Sequence, residues 1–222
     1  NFNPRLVSFI TDPMRLSAVP PPSYWSYITS KLDNPSEIWG DVYDQQMSDT
    51  QRILLLLVVV NGGDISEQDL FSAFQSYLTT PNATRIRGDT DYQRNIQILI
   101  GSLLNRTLNA KSESAFDLFN PSISDFALPR VAADGDLMST LALTLKTRQM
   151  IRYLRRSIHR GKVPKATSKA VGSRFSKYVL AAGCETQNAR VQVEMLEVAT
   201  QQNPDSDETK SAVVRFLTEL QG

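Results

Sequence analysis

Eleven lysines and arginines stand between residues 146 and 177 with no acid among them: Lys146, Arg148, Arg152, Arg155, Arg156, Arg160, Lys162, Lys165, Lys169, Arg174 and Lys177. Cations at this density hold phosphate oxygens, lysine as a point charge and arginine through a planar fork of donors. Binding of that kind is salt-sensitive and ignores base sequence. Tyr153, Phe175 and Tyr178 are interleaved with the cations, and their rings suit either stacking on bases or burial in a core. The same pattern fits a solvated helix face that pairs with acids elsewhere. The net charge is +1, so the rest of the chain carries ten more acids than bases, and an internal counter-charge exists.

Few other side chains offer chemistry. His159 is the one histidine and Cys184 the one cysteine. That argues against a histidine metal cluster, a Ser-His-Asp triad, a cysteine-rich zinc site and a disulfide framework. It also fits a reducing compartment, so a cytoplasmic location is expected. His159, among arginines, reads as a surface residue, and Cys184, beside Gly183, as a small buried one. Asp134 and Asp136 flank Gly135 and suit either a cation or the start of a helix, with capping the favoured expectation. No enzyme activity and no metal site are expected of this stretch. The longest apolar run, over 53–60, is too short to span a bilayer, and the polar start lacks the order of a signal peptide. No membrane partner is expected. Because it opens on Asn1 and reads at once as mid-protein sequence, the chain is expected to be a fragment of something longer.

Helical spacing dominates the elements that must position these residues. A short amphipathic helix is expected over 4–11, stopped by Asp12-Pro13. A rigid turn, "AVPPPSYW", precedes a helix over 23–32 with Trp25 and Ile28 on one side. In "DNPSEIW", Asn34 is placed to cap and Pro35 to open a helix, with Ile38, Trp39, Val42 and Tyr43 as its apolar stripe. Ser48-Asp49 starts the next helix, whose run over 53–60 is apolar all round and therefore central and buried. Asn61-Gly62-Gly63 suits a left-handed cap. A second helix follows over 65–77 and a third over 89–104.

After the third helix, "RTLNA" and "AFDLF" read as short strands around the polar turn "KSES". Three helices followed by a hairpin are the order of a winged-helix unit, and "NPSISDFAL" is the helix that leaves it, with Pro121 at its first position. A DNA-reading winged helix places its third helix in the major groove. Here that helix offers Asp89, Asp91, Gln93, Arg94, Asn95, Gln97, Ser102 and Arg106, with two acids at the leading end and a long loop before it. An interaction or relay role is therefore expected of this unit. Beyond it, a long helix is expected over 135–156, a basic linker in "HRGKVPKATSK", and helices over 173–182, 187–199 and 208–220. Trp25 and Trp39 are both expected in the core.

Two separated stretches, "NFNPRLVSFITD" and "FDLFNPSISDFAL", resemble the region after the ATPase core in bacterial STAND-type NTPases. These are relatives of AAA+ ATPases associated with restriction and phage defence. The family shows an Asn-Pro-Arg-Leu stretch in a helical lid, an Ile-Trp pair opening a helix, a winged-helix-like unit, and a closing Asn-Pro-Ser-x-x-Asp-Phe. All four occur here in that order within 1–128, whereas Arg130 onward carries no family signature.

The resemblance implies a mainly α chain. A helical lid remnant covers 1–47, a winged-helix-like domain with one small hairpin covers 48–130, and a C-terminal helical region covers 131–222. It implies that Arg5 reaches the nucleotide γ-phosphate in the intact protein, where ATP and Mg²⁺ would be the cofactors. It implies as partners the upstream ATPase core of the same chain and a protein effector. The chain itself holds no G-x-x-x-x-G-K-[ST] loop, so hydrolysis by this stretch alone is not expected. A regulatory, non-catalytic role is the leading expectation. A nucleic-acid-binding module acting through 146–177 is the alternative.

Overall fold

A computed structural model describes residue 7 and residues 10–33, 36–108, 112–184 and 188–221. Among these the protein is mainly helical, with one small antiparallel sheet. Arg5, most of the helix expected over 4–11 and the expected caps Asn34 and Pro35 lie outside the described residues. The first described helix, α1 (Pro13–Ser17), starts where the Asp12 carboxylate accepts from the amides of Met14 and Arg15, satisfying donors that the first turn leaves orphaned. A 3₁₀ turn, Pro21–Ser23, leads into α2 (Tyr24–Asp33), and α3 (Ser36–Asp41) runs straight into a π-helical turn, Val42–Gln46. Arg52 secures that turn, donating to the carbonyls of Tyr43 at 2.7 Å and Asp44 at 3.0 Å.

The central helix is α4 (Asp49–Asn61). Ser48 and Gln51 form a reciprocal capping box at its start, and Gly62, with φ of 83°, ends it in the left-handed region. Every residue from Ile53 to Val60 is buried, none exposing more than 7% of its surface. An octet apolar on all sides needs neighbours on all sides. They are α5 (Glu67–Leu78), α6 (Tyr92–Leu99), α7 (Pro121–Ala133), α8 (Gly135–Leu145), α9 (Arg148–His159) and the sheet.

The sheet consists of β1 (Ile65–Ser66), β2 (Leu104–Leu108) and β3 (Ser114–Leu118), in the order β1-β3-β2 with both pairings antiparallel. Helix, short strand, helix, helix and hairpin follow one another as a winged helix does. The third strand of the sheet, β1, is an addition to the expected hairpin. Ile65 and Arg106 both stand opposite Phe116, and Ile65 and Phe116 are buried over α4. The wing is braced at Arg106, which bonds Glu67 at 2.6 Å and Ser114 at 2.8 Å. Directly after β3, the Asn120 side chain caps α7 with Pro121 in its first turn.

Several expectations are corrected. The helix expected over 65–77 begins at Glu67, because Ile65 and Ser66 pair with β3 as β1. The helix expected over 89–104 ends at Leu99, and Leu104 already belongs to β2. Leu103 and Leu104 remain core residues, so their burial persists while the backbone changes period. The helix expected over 135–156 is two helices, because Lys146 adopts φ of 50° and Thr147 caps a new start by accepting from the Met150 amide. The basic linker is mostly helix: α10 (Lys165–Ala182) begins eight residues before 173. Thr167 and Ser168 of that stretch are packing positions, with Thr167 donating to the Ala132 carbonyl at 2.6 Å, and the same close packing continues past it. A Cβ on Gly172 would lie 3.3 Å from Ala199 Cα, in α11 (Ala189–Gln202), which α10 crosses closely. Finally, Trp39 is buried but Trp25 is exposed.

Trp39 ties the N-terminal helices to the winged helix. Its Nε1–H donates to Ser122 Oγ at 2.9 Å, and Tyr43 meets Phe126 edge-on at 5.8 Å between ring centres. One apolar cluster then runs from Trp39 through the winged helix into α8, α9, α10 and α11, as far as Ala199. A smaller cluster, Val179, Leu196, Ala212 and Phe216, seats the last helix, α12 (Asp207–Gln221).

The junction between α4 and α9 is closely bonded. Asn61 accepts from Thr147 Oγ1 at 2.6 Å, and the Gly63 carbonyl accepts from Asn61 at 2.8 Å and from Gln149 at 2.7 Å. A Cβ on Gly62 would sit 2.7 Å from the Tyr153 ring. Gly62→Ala is therefore expected to cost about 2–4 kcal/mol from backbone strain and overpacking together. Gly101→Ala, with φ of 77° but open space around its Cβ, should cost about 1–2 kcal/mol from the backbone alone. Urea unfolding of the two variants checks the difference.

Candidate functional site

The fold sorts the eleven cations into two groups. Five lie along contacts between helices and meet acids there. Arg148 reaches Glu194 at 2.8 Å and Arg155 reaches Glu197 at 2.7 Å, both across to α11. Lys162 meets Asp125 of α7 at 3.0 Å. Arg174 pairs with Asp136 of α8, and Lys177 with Glu208 of α12 at 3.9 Å. A sixth, Lys146, lies over the Tyr178 ring at 4.4 Å. The other five, Arg152, Arg156, Arg160, Lys165 and Lys169, are exposed and have no ion pair or side-chain hydrogen bond among the described residues.

The interleaved aromatics belong to the body of the protein. Phe175 is fully buried. Tyr178 is half-buried beneath Lys146, and the Tyr153 hydroxyl shares a 2.8 Å hydrogen bond with Ser124. Exposed His159 stands beside the outward arginines. Cys184 is half-buried, and its amide donates to Glu219. The Glu219 carboxyl is held below the usual carboxylate range by its bonds to Arg215 and to that amide. What it contributes to folding is present above the ordinary carboxylate pKa and is lost as pH falls through its lowered one. Asp134 caps α8 through the amides of Asp136 and Leu137, and Asp136 holds Asn82 at 2.9 Å. Both aspartates therefore act as structural acceptors.

The groove-reading face of a winged helix is acidic here at its leading end. Asp91 caps α6 by accepting from the Arg94 amide at 2.7 Å, and Asp89 pairs with the Arg94 guanidinium at 3.5 Å. Outward positions are Gln93, Arg94, Gln97 and Ile98. The loop before α6 is fastened to α4, with Thr50 donating to the Asp89 carbonyl at 2.8 Å and Asp49 accepting from the Arg87 amide at 3.0 Å. Tyr92 at the start of α6 and Tyr43 and Tyr77 around α4 all have hydroxyl pKa values raised by burial. Their hydroxyls therefore stay protonated at neutral pH.

Two apolar surfaces lie open. On α1 and α2, Met14 is 85% exposed, Trp25 75% and Leu32 51%. Between α11 and α12 a groove of about 410 Å³ is lined by Val193, Leu196, Val213, Phe216, Leu217 and Leu220. Sequence reasoning missed the groove, although Val213, Phe216, Leu217 and Leu220 carry the spacing of a helical stripe wider than one neighbour covers. Among the described residues no helix is long and apolar enough to cross a membrane, and no group of three or more His, Cys, Asp or Glu side chains stands where it could hold a metal ion.

Comparison with family models, with curated proteins and with solved structures finds no match. The arrangement itself suits binding, through an outward basic row and an open apolar face.

The sorting of the cations has a measurable consequence. Glu194 is largely buried, and its Oε2 has no partner. Arg148→Ala would leave this carboxylate without its charged donor and should cost about 1–3 kcal/mol. Arg152→Ala, on the outward row, should change stability by less than about 0.5 kcal/mol. Chemical denaturation of both variants reads the contrast directly.

Proposed function

We propose that this chain is a non-catalytic relay within a STAND-type NTPase, passing the nucleotide state of an ATPase core to a sensor or effector in bacterial defence. The observation that carries this reading is the exposed apolar face of α1 and α2. Their amphipathic pattern is that of helices covered on one side, yet Met14, Trp25 and Leu32 are exposed. An ATPase core seated on that face would bury them. In the intact protein Arg5 would sense the γ-phosphate, with ATP and Mg²⁺ held by the core.

The relay follows from packing. Arg15 pairs with Asp41 at 3.1 Å, joining α1 to α3, and Trp39 joins α3 to α7. From Trp39 onward the apolar cluster is continuous into α11. A shift transmitted to α3, which packs on α7, would therefore move a packed body. Nucleotide need only favour one of two seatings of the core on α1 and α2 to bias that body. The acidic leading end of α6 favours an interaction role for the winged helix over groove reading.

Trp25 makes the test spectroscopic. In a Trp39→Phe variant Trp25 is the remaining tryptophan, and its emission should be that of a water-exposed indole. Joined to the ATPase core and loaded with nucleotide, the same indole should shift to shorter wavelength. Emission unchanged by the core and by nucleotide would overturn the reading.

A further inference from the structure

The outward row on α9 and α10 goes beyond the relay. Arg152, Arg156 and Arg160 follow one another at four-residue intervals, which places them on a single stripe. The turn at Gly161, pinned by buried Val163, leads directly to Lys165 and Lys169, again four apart. Every acid that neutralises the basic segment comes from another helix and is used by an inward-edge cation. The five outward cations are thus surplus to the fold. Like charges at this spacing disfavour a helix. Lys165 also stands at the start of α10, where the helix dipole opposes a cation, and Pro164 provides no side-chain cap. An anion along the row relieves both penalties.

The surroundings select which anion. None of the large exposed apolar side chains falls within 146–177. A membrane-surface helix needs apolar side chains to insert beside its cations, and a protein interface needs buried apolar or aromatic anchors. A phosphate backbone needs neither. Single-strand binders add aromatic platforms for stacked bases, but Phe175 is in the core, Tyr178 lies under Lys146 and Tyr153 is bonded to Ser124. The arginine stripe alone runs about 12 Å along α9, enough to follow about three successive phosphates of one duplex strand. We infer that Arg152, Arg156, Arg160, Lys165 and Lys169 form a surface that binds the sugar-phosphate backbone of double-stranded nucleic acid without reading its sequence.

The test is fluorescence anisotropy of the full 222-residue chain with labelled 25-base-pair duplexes of two unrelated sequences, at about 50 and about 200 mM salt. Both duplexes should bind equally, and affinity should fall with salt with a logarithmic slope of about −3 to −5. The triple variant R152A/R156A/R160A should weaken binding at least tenfold and reduce the slope by about 3. Its circular dichroism and thermal midpoint should match or exceed those of the parent, since the change removes repulsion along α9. Lys177→Ala, at a cation already paired, should bind as the parent does. Absence of binding at low salt overturns the inference, as does a triple variant that folds and binds with full affinity. Tighter binding to a single strand of the same sequence overturns it too. Binding to vesicles containing one-third phosphatidylserine with none to duplex would assign the row to a membrane surface instead. Each of these outcomes is independent of the Trp25 measurement, so the two readings stand or fall separately.

Discussion

Helix α4 has no polar face through the run 53–60, and the rest of the molecule is arranged around that constraint. A helix buried on every side cannot be served by a small three-helix unit alone. The winged helix covers part of it with α5, α6 and the sheet, and the chain beyond Leu118 supplies the remainder as α7, α8 and α9. This is why one apolar cluster extends across the winged helix into the C-terminal helices. It is also why α9 is held so firmly. Its N-terminal cap is bonded to Asn61 at the end of α4, and Tyr153 closes over Gly62.

That docking dictates which side of α9 faces water. With Met150, Ile151 and Leu154 committed to the core, the arginines are divided by geometry. Arg148 and Arg155 fall at the edge toward α11 and find glutamates there. Arg152, Arg156 and Arg160 fall on the far side. The basic surface thus follows from burying α4. The N-terminal helices are different in kind, since α1 and α2 carry exposed apolar side chains.

Much of the architecture was legible because the signals are local. The helix start at Ser48-Asp49, the glycine stop at Gly62, the strand-to-helix switch at Asn120-Pro121 and the all-apolar run over 53–60 each depend on residues within a turn or two of one another. The misreadings share one cause, which is distance along the chain. The period of Ile100 to Leu104 looks helical until pairing with β3 is known. Thr167 and Ser168 look like linker until α7 and α11 are placed around α10. Trp25 carries the same amphipathic signal as Trp39, and a stripe cannot say whether its partner lies within 222 residues or outside them.

The candidate site divides along the same line. Residue order alone established that lysine and arginine are concentrated in 146–177 and that histidine and cysteine are scarce, because residue types need no coordinates. Spacing alone established the caps and the buried central helix, because backbone hydrogen bonds at helix ends are satisfied by near neighbours. Which of the eleven cations are neutralised, and whether the aromatics among them stack or pack, was settled only by the tertiary fold. Glu194, Glu197 and Glu208 lie 31 to 46 residues from the cations they meet. An ion pair across that separation exists only once the helices carrying its two halves have packed.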